Sequence, residues 1–294
     1  MAACCHWARC WPLRFYRGFN NLRHSPVSRE GLGIAIFIAG LGAHVAFSLP
    51  ANALVQAAFK ALFGRDVVAL LGPTLLALAS VGAQVSGVLA IAGSLAGLYY
   101  MMRCYRIKAR PFWNHWQVAT AFGGSVLSLG ALLTAAVVLP TLWRAGVDLH
   151  VVALSCVGLM ALGLAVEGLG HLAHARSMGH AEHEGGASYY VQTTTFGKTY
   201  RLRNALLGAN GLLCLALLAA LAVGLVGHSG LVLLLPVALL LAATSLIGRA
   251  LFYVLVIPTT MPGAFFWKNK GFEDHARQIG LANMPQVGVA PLRH

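Results

Sequence analysis

Six stretches of this chain contain no Asp, Glu, Lys or Arg: 31–59, 67–102, 111–143, 149–166, 204–248 and 250–267. Each reaches or approaches the ~18–20 residues that a helix needs to cross the hydrocarbon of a bilayer. The run 204–248 would extend about 68 Å as a single helix at ~1.5 Å per residue, more than twice a ~30 Å core, so it must fold back. Gly227-His228-Ser229-Gly230 is the expected turn. Long apolar runs without alternation argue against a β-barrel, and lipid leaves helices as the other way to satisfy the backbone. The expected fold is therefore all-α, a polytopic membrane bundle with spans near 32–49, 75–102, 114–139, 149–172, 203–226 and 231–257.

Composition agrees. Only 10% of the 294 residues are charged, against roughly 25% in a soluble domain. Residues 1–30 read as a basic N-terminal segment, 31–257 as the bundle and 258–294 as a tail. Between the first two spans, "PANALVQAAFKALFGRD" reads as an interfacial helix. The small-residue stretches "GVLAIAGSLAG", "FGGSVLSLG" and "GLMALGLAVEGLG" suit close helix packing in lipid, or reflect a GC-rich gene.

Arg9, Arg14, Arg17, Arg23 and Arg29 precede the first span, and Arg103, Arg106, Lys108 and Arg110 follow the second. Arg176, Lys198, Arg201 and Arg203 fall in the 173–203 loop, and Lys268, Lys270, Arg277 and Arg293 in the tail. The intervening loops hold only Lys60, Arg65 and Arg144. This alternation places both termini in the cytoplasm and makes the +13 net charge a topological signature rather than a sign of nucleic-acid binding. A basic inner face would attract anionic lipid or an acidic partner. The six cysteines show no zinc or cluster spacing.

Ionisable groups inside spans are costly and face a bundle interior or a cavity. Glu167 comes eighteen residues after Leu149, about 27 Å along the fourth helix, toward its cytoplasmic end. Arg249 falls at a similar depth in the last helix, where it either snorkels to headgroups or meets a partner in the bundle. His171 and His174 follow Glu167 at i+4 and i+7 on one face. With "HARSMGHAEHE" downstream, that segment reads as a proton relay or solvated loop; the spacing fits no zinc motif, so no metal is assigned. His115, between Trp113 and Trp116, reads as an interfacial anchor. His44 lies about midway along the first span with no evident mate.

The segment "WPLRFYRGFNNLRHSPVSREGLGIAIF", the "RPFW" opening the third span and "LIGRALFY" in the last resemble, in order, the membrane-anchor subunits of dimethyl sulfoxide reductase-type molybdoenzymes. The tail "TTMPGAFFWKNKGFEDHARQIGLANMPQVGV" looks more like the sulfite dehydrogenase anchors. The resemblance implies a non-catalytic subunit without a cofactor of its own. Such a subunit holds an iron–sulfur subunit and a molybdopterin catalytic subunit at a bacterial inner membrane and exchanges electrons with menaquinone or ubiquinone. In that family an arginine and a glutamate sixteen residues later contribute to the quinol site, and Arg14 and Glu30 keep that separation. The family histidine does not carry over, because His6 lies two positions too far away. The last-helix arginine is Arg249, and the glutamate that some members place four residues earlier is Ser245. Family members have eight spans, so the resemblance leads us to expect a frameshift or misassigned start before about residue 12.

A quinone needs an apolar cleft, hydrogen-bond donors for its oxygens and groups that exchange two protons. Arg14, Glu30, Glu167 and Arg249 are the expected binding residues, with His171 and His174 as the relay. Two other readings stay open: a b-type haem subunit, which needs histidines at matched depth, and a small-molecule transporter.

Overall fold

Ser25 and Pro26 show how the sequence starts its first helix. The Ser25 side chain accepts from the Ser28 N–H at 3.3 Å, and Pro26 occupies the first turn, where its missing N–H would have had no intrahelical partner. The computed structural model describes residues 22–180, 185–225 and 232–256, together with Gln278. Within them are eight α-helices and no strand. They are α1 (Pro26–Ser48), α2 (Ala53–Phe63), α3 (Val67–Tyr105), α4 (Gln117–Arg144), α5 (His150–Met178), α6 (Gly186–Thr193), α7 (Gly197–Ala222) and α8 (Leu234–Val254). Six of them, α1, α3, α4, α5, α7 and α8, are long and apolar enough to cross a membrane, so the chain is a multi-pass membrane protein.

The expected span limits hold in number and order, with informative differences at the ends. In α3 the backbone leaves helical geometry at Gly72 (φ 70°, ψ 169°), so Val67–Leu71 is a leading segment and Pro73 opens the span proper. α7 starts at Gly197 rather than at residue 203, because Lys and Arg set where the hydrocarbon ends but do not stop a helix. Helix α2 forms where an interfacial helix is expected. Asn52 caps it, its side chain accepting from Leu54 N (2.9 Å) and Val55 N (3.3 Å), and Gly64 ends it in the left-handed region (φ 66°). The turn at 227–230, the N-terminal segment through residue 21 with Arg14, and the tail other than Gln278 lie outside the described residues.

The chain divides into two compact units, residues 1–105 and 106–294. In the first, α1 packs along α3 at backbone contact. A Cβ added to Gly33 would lie 2.5 Å from Gly97 N, one on Gly93 2.6 Å from Phe37 N, and one on Gly40 2.7 Å from Ala90 N. Without a hydrophobic drive between helices in lipid, such close approach is a main source of association.

The second unit is a bundle of α4, α5, α7 and α8. Its α4–α5 crossing repeats the device, since a Cβ on Gly124 would sit 2.6 Å from Gly163 O and one on Gly163 2.8 Å from Ser128 N. The small-residue stretches are thus crossing points. Toward one end of this bundle Leu139, Leu149, Val157, Met160, Cys214, Leu221, Val237 and Leu241 form a dry core. The other end is polar inside.

Candidate functional site

Three expected residues, Glu167, His171 and Arg249, line one small cavity of about 20 Å³ with Gln117, Ser125 and Ser245. Their elements explain why. Gly163 and Gly124 let α5 lie against α4 so closely that a Cβ on Gly124 would be 3.0 Å from Glu167 Cβ. That approach brings Gln117, in the first turn of α4, to His171, two turns from the end of α5.

The Gln117 amide Nε2 and His171 Nδ1 are 3.1 Å apart, and His171 Nε2 is 3.4 Å from Glu167 Oε1. A carboxylamide nitrogen only donates, so Nδ1 accepts, and the proton of a neutral His171 sits on Nε2, facing Glu167. Glu167 is 6% exposed, and its one ionic contact among the described residues is this histidine.

Arg249 stacks on the Phe122 ring, with Cζ 3.9 Å from the centroid. It therefore meets a partner inside the bundle, the second of the two expected alternatives. Ser245 faces the same cavity. The carboxylate that lines this cavity with the arginine, Glu167, comes from α5, and no ion pair joins the two among the described residues.

His174 is 5% exposed and its Nε2 donates to the Phe112 carbonyl at 2.9 Å. The ring is further held edge-on to Phe112 and His115. It shares a second cavity, of about 30 Å³, with His171, Gln117, Gln192, Tyr200 and Arg203. Glu30 belongs to the first unit, where it accepts from the Cys104 thiol at 3.5 Å. His44, also there, is 2.7 Å from the Ala83 carbonyl through Nδ1, which supplies the mate its sequence position lacked.

Several functional candidates were not foreseen. Arg203, expected in a loop, lies inside α7 and is 3% exposed. Its Nε meets no acceptor among the described residues, and no described carboxylate lies within ion-pair distance; its ring contact is Tyr200, at 5.2 Å. The only available signal was the i+3 spacing of Tyr200 and Arg203. Gln117 and Gln192, both buried, carried no sequence signal. Just outside the spans, burial and the neighbouring Tyr200 hydroxyl push Tyr189 above the ordinary tyrosine range.

His115, expected as an interfacial anchor, is half-buried, and Trp113 beside it is 5% exposed. Trp113 stacks on Phe252 (centroids 5.0 Å, 10°), and its indole N–H donates to the Phe252 carbonyl at 2.9 Å. That carbonyl lies in the last turn of α8, which has no intrahelical donor left for it. The "RPFW" and "LFY" segments are thereby pinned together, with Arg110 over Trp113 and Phe122 edge-on to Phe252. Trp116 is 46% exposed, as an anchor would be. Among the described residues, no three His, Cys, Asp or Glu side chains converge as metal ligands.

A wider groove of about 550 Å³ runs between α5 and α7. Its lining is leucine, alanine and glycine except near one end, where His171, Tyr200 and Asn204 face it. No family model, curated protein or solved structure matches the chain.

Proposed function

We propose that this chain is the membrane anchor of a molybdopterin oxidoreductase complex. In this reading it exchanges electrons and protons between membrane quinone and an iron–sulfur subunit, and sulfite is the substrate class to which its tail points. The observation that carries the reading is the hydrogen-bonded run Gln117–His171–Glu167 beside Arg249, enclosed at the polar end of the bundle. A buried carboxylate, an imidazole of defined tautomer and a guanidinium are what proton-coupled exchange with a quinone requires of a protein. The ordered motifs quoted above supply the class of complex. Lysines and arginines on alternate loops support an inner-membrane orientation with both termini cytoplasmic, and would dock the partner subunits there.

The chain's own part is proton handling. Quinol oxidation releases two electrons and two protons; the electrons go to the iron–sulfur partner, whose clusters supply the one-electron chemistry. Neutral His171 accepts a proton from the ring hydroxyl at Nδ1, which a half-turn of the Gln117 amide frees, and its Nε2–H passes to the Glu167 carboxylate; the second proton follows once Glu167 has released the first and the pair has reset. Quinone reduction reverses the same steps.

Mild-detergent purification of the tagged chain from its native membrane tests this. Co-purifying molybdenum and iron–sulfur proteins whose clusters are reduced by quinol are the expected result. A chain that purifies without them and shows a Soret band with sharp α peaks is a haem subunit, and the proposal fails.

A further inference from the structure

Arg203 is a guanidinium in a low-dielectric bundle with no counter-charge in contact among the described residues, an arrangement that costs several kcal/mol unless something completes it. It lines the 30 Å³ cavity, too small for more than a water or a single oxygen atom. The 550 Å³ groove adjoins that cavity, because His171, Ala175 and Tyr200 line both. From Ala175 to Ala161 the groove follows α5 for about 20 Å at ~1.5 Å per residue. Its flanks include Leu172, 49% exposed, and Leu212, 71% exposed, so it opens on the apolar surface of the spans.

We infer that groove and cavity form one binding site for an amphiphile with an apolar tail and a carbonyl-bearing ring, held through a ring oxygen by Arg203. This rests on the quinone reading above and specifies how the molecule enters and what grips it. The ring lies at the polar end against Tyr200 and His171, with one oxygen reaching through to the guanidinium. The tail runs along α5 and α7 past Gly208 and Gly211. A Cβ on either would meet nothing within 4 Å, so the groove is open beside them. An uncharged acceptor fits better than a carboxylate, because Glu167 already acts on Arg203 from a distance.

The test uses the full chain in lipid nanodiscs, titrated with a decyl-tailed naphthoquinone and with its tail-less parent, and followed by quenching of tryptophan fluorescence. Arg203→Gln should weaken both ligands about tenfold or more, the loss of one charge-assisted hydrogen bond. Gly208→Phe fills the groove without touching the packing, and should weaken the tailed ligand several-fold more than the parent. Gly130→Phe, on the exposed surface of α4 where a Cβ also meets nothing, should change neither. If wild type binds the tailed quinone saturably and both Arg203→Gln and Gly208→Phe bind it equally well, the inference is overturned while the anchor reading stands. Absence of saturable quinone binding by the wild type overturns that reading and this inference with it.

Discussion

Gly123 and Gly124 are adjacent on α4, and replacing each by alanine isolates the close helix crossing from every other effect of the change. The gain in helix propensity, about 1 kcal/mol, is common to both and cancels in their comparison. The surroundings differ. At Gly123 a Cβ meets nothing within 4 Å, whereas at Gly124 it lies 2.6 Å from Gly163 O, 3.0 Å from Glu167 Cβ and 3.1 Å from Glu167 N. Two of these three are backbone atoms, so no side chain can rotate away, and α4 and α5 must separate by about an ångström to restore ordinary contact. Overpacking of that kind costs ~1–3 kcal/mol, so Gly124→Ala should be less stable than Gly123→Ala by that amount. At roughly 2–4 °C per kcal/mol for chains of comparable size, the gap in thermal midpoint in detergent is several degrees. The same separation lengthens the 3.1 Å Gln117–His171 contact beyond hydrogen-bonding distance, so quinol turnover should fall in Gly124→Ala and persist in Gly123→Ala. Equal midpoints for the two variants would refute the backbone-contact account of the α4–α5 crossing.

Trp113→Phe keeps a ring against Phe252 but leaves the Phe252 carbonyl without its donor. A loss of about 1–3 kcal/mol is expected by reversible unfolding in mixed micelles, and unchanged stability would mean the indole N–H does not fasten the end of α8. Glu167→Gln retains an acceptor for His171 Nε2–H while removing the proton acceptor. Quinol-dependent reduction of the partner's clusters should drop by about a hundredfold with the assembled complex still recovered, and wild-type turnover would remove Glu167 from the relay. Asn52→Ala removes the acceptor for Leu54 N and Val55 N, destabilising exposed α2 by about 0.5–2 kcal/mol; hydrogen exchange over residues 53–56 should accelerate while that of α1 and α3 stays unchanged.

The all-α class, six crossing helices and their approximate limits were legible from charge-free run lengths alone, because lipid allows so few ways of satisfying a backbone. The cost of burying charge likewise marked Glu167, His171 and Arg249 as inward-facing, and helical periodicity put the first two on one face. Position along the chain misjudged Arg203, counted with the loop cations, and gave no sign that Trp113, which flanks the expected anchor His115, would be buried. Arg203 is buried because α7 extends two turns farther back than its hydropathy does, and Trp113 because the segment before α4 folds under the end of α8. Gln117 is invisible in sequence since an uncharged amide raises no solvation alarm; it matters only because a glycine contact at Gly124 and Gly163 brings its helix against His171. Local composition thus determined which segments enter the membrane and which groups cannot face it. Only tertiary packing decided which of those groups meet, since partners 50 or more residues apart are chosen by the depth and closeness of helix crossings that no single helix encodes.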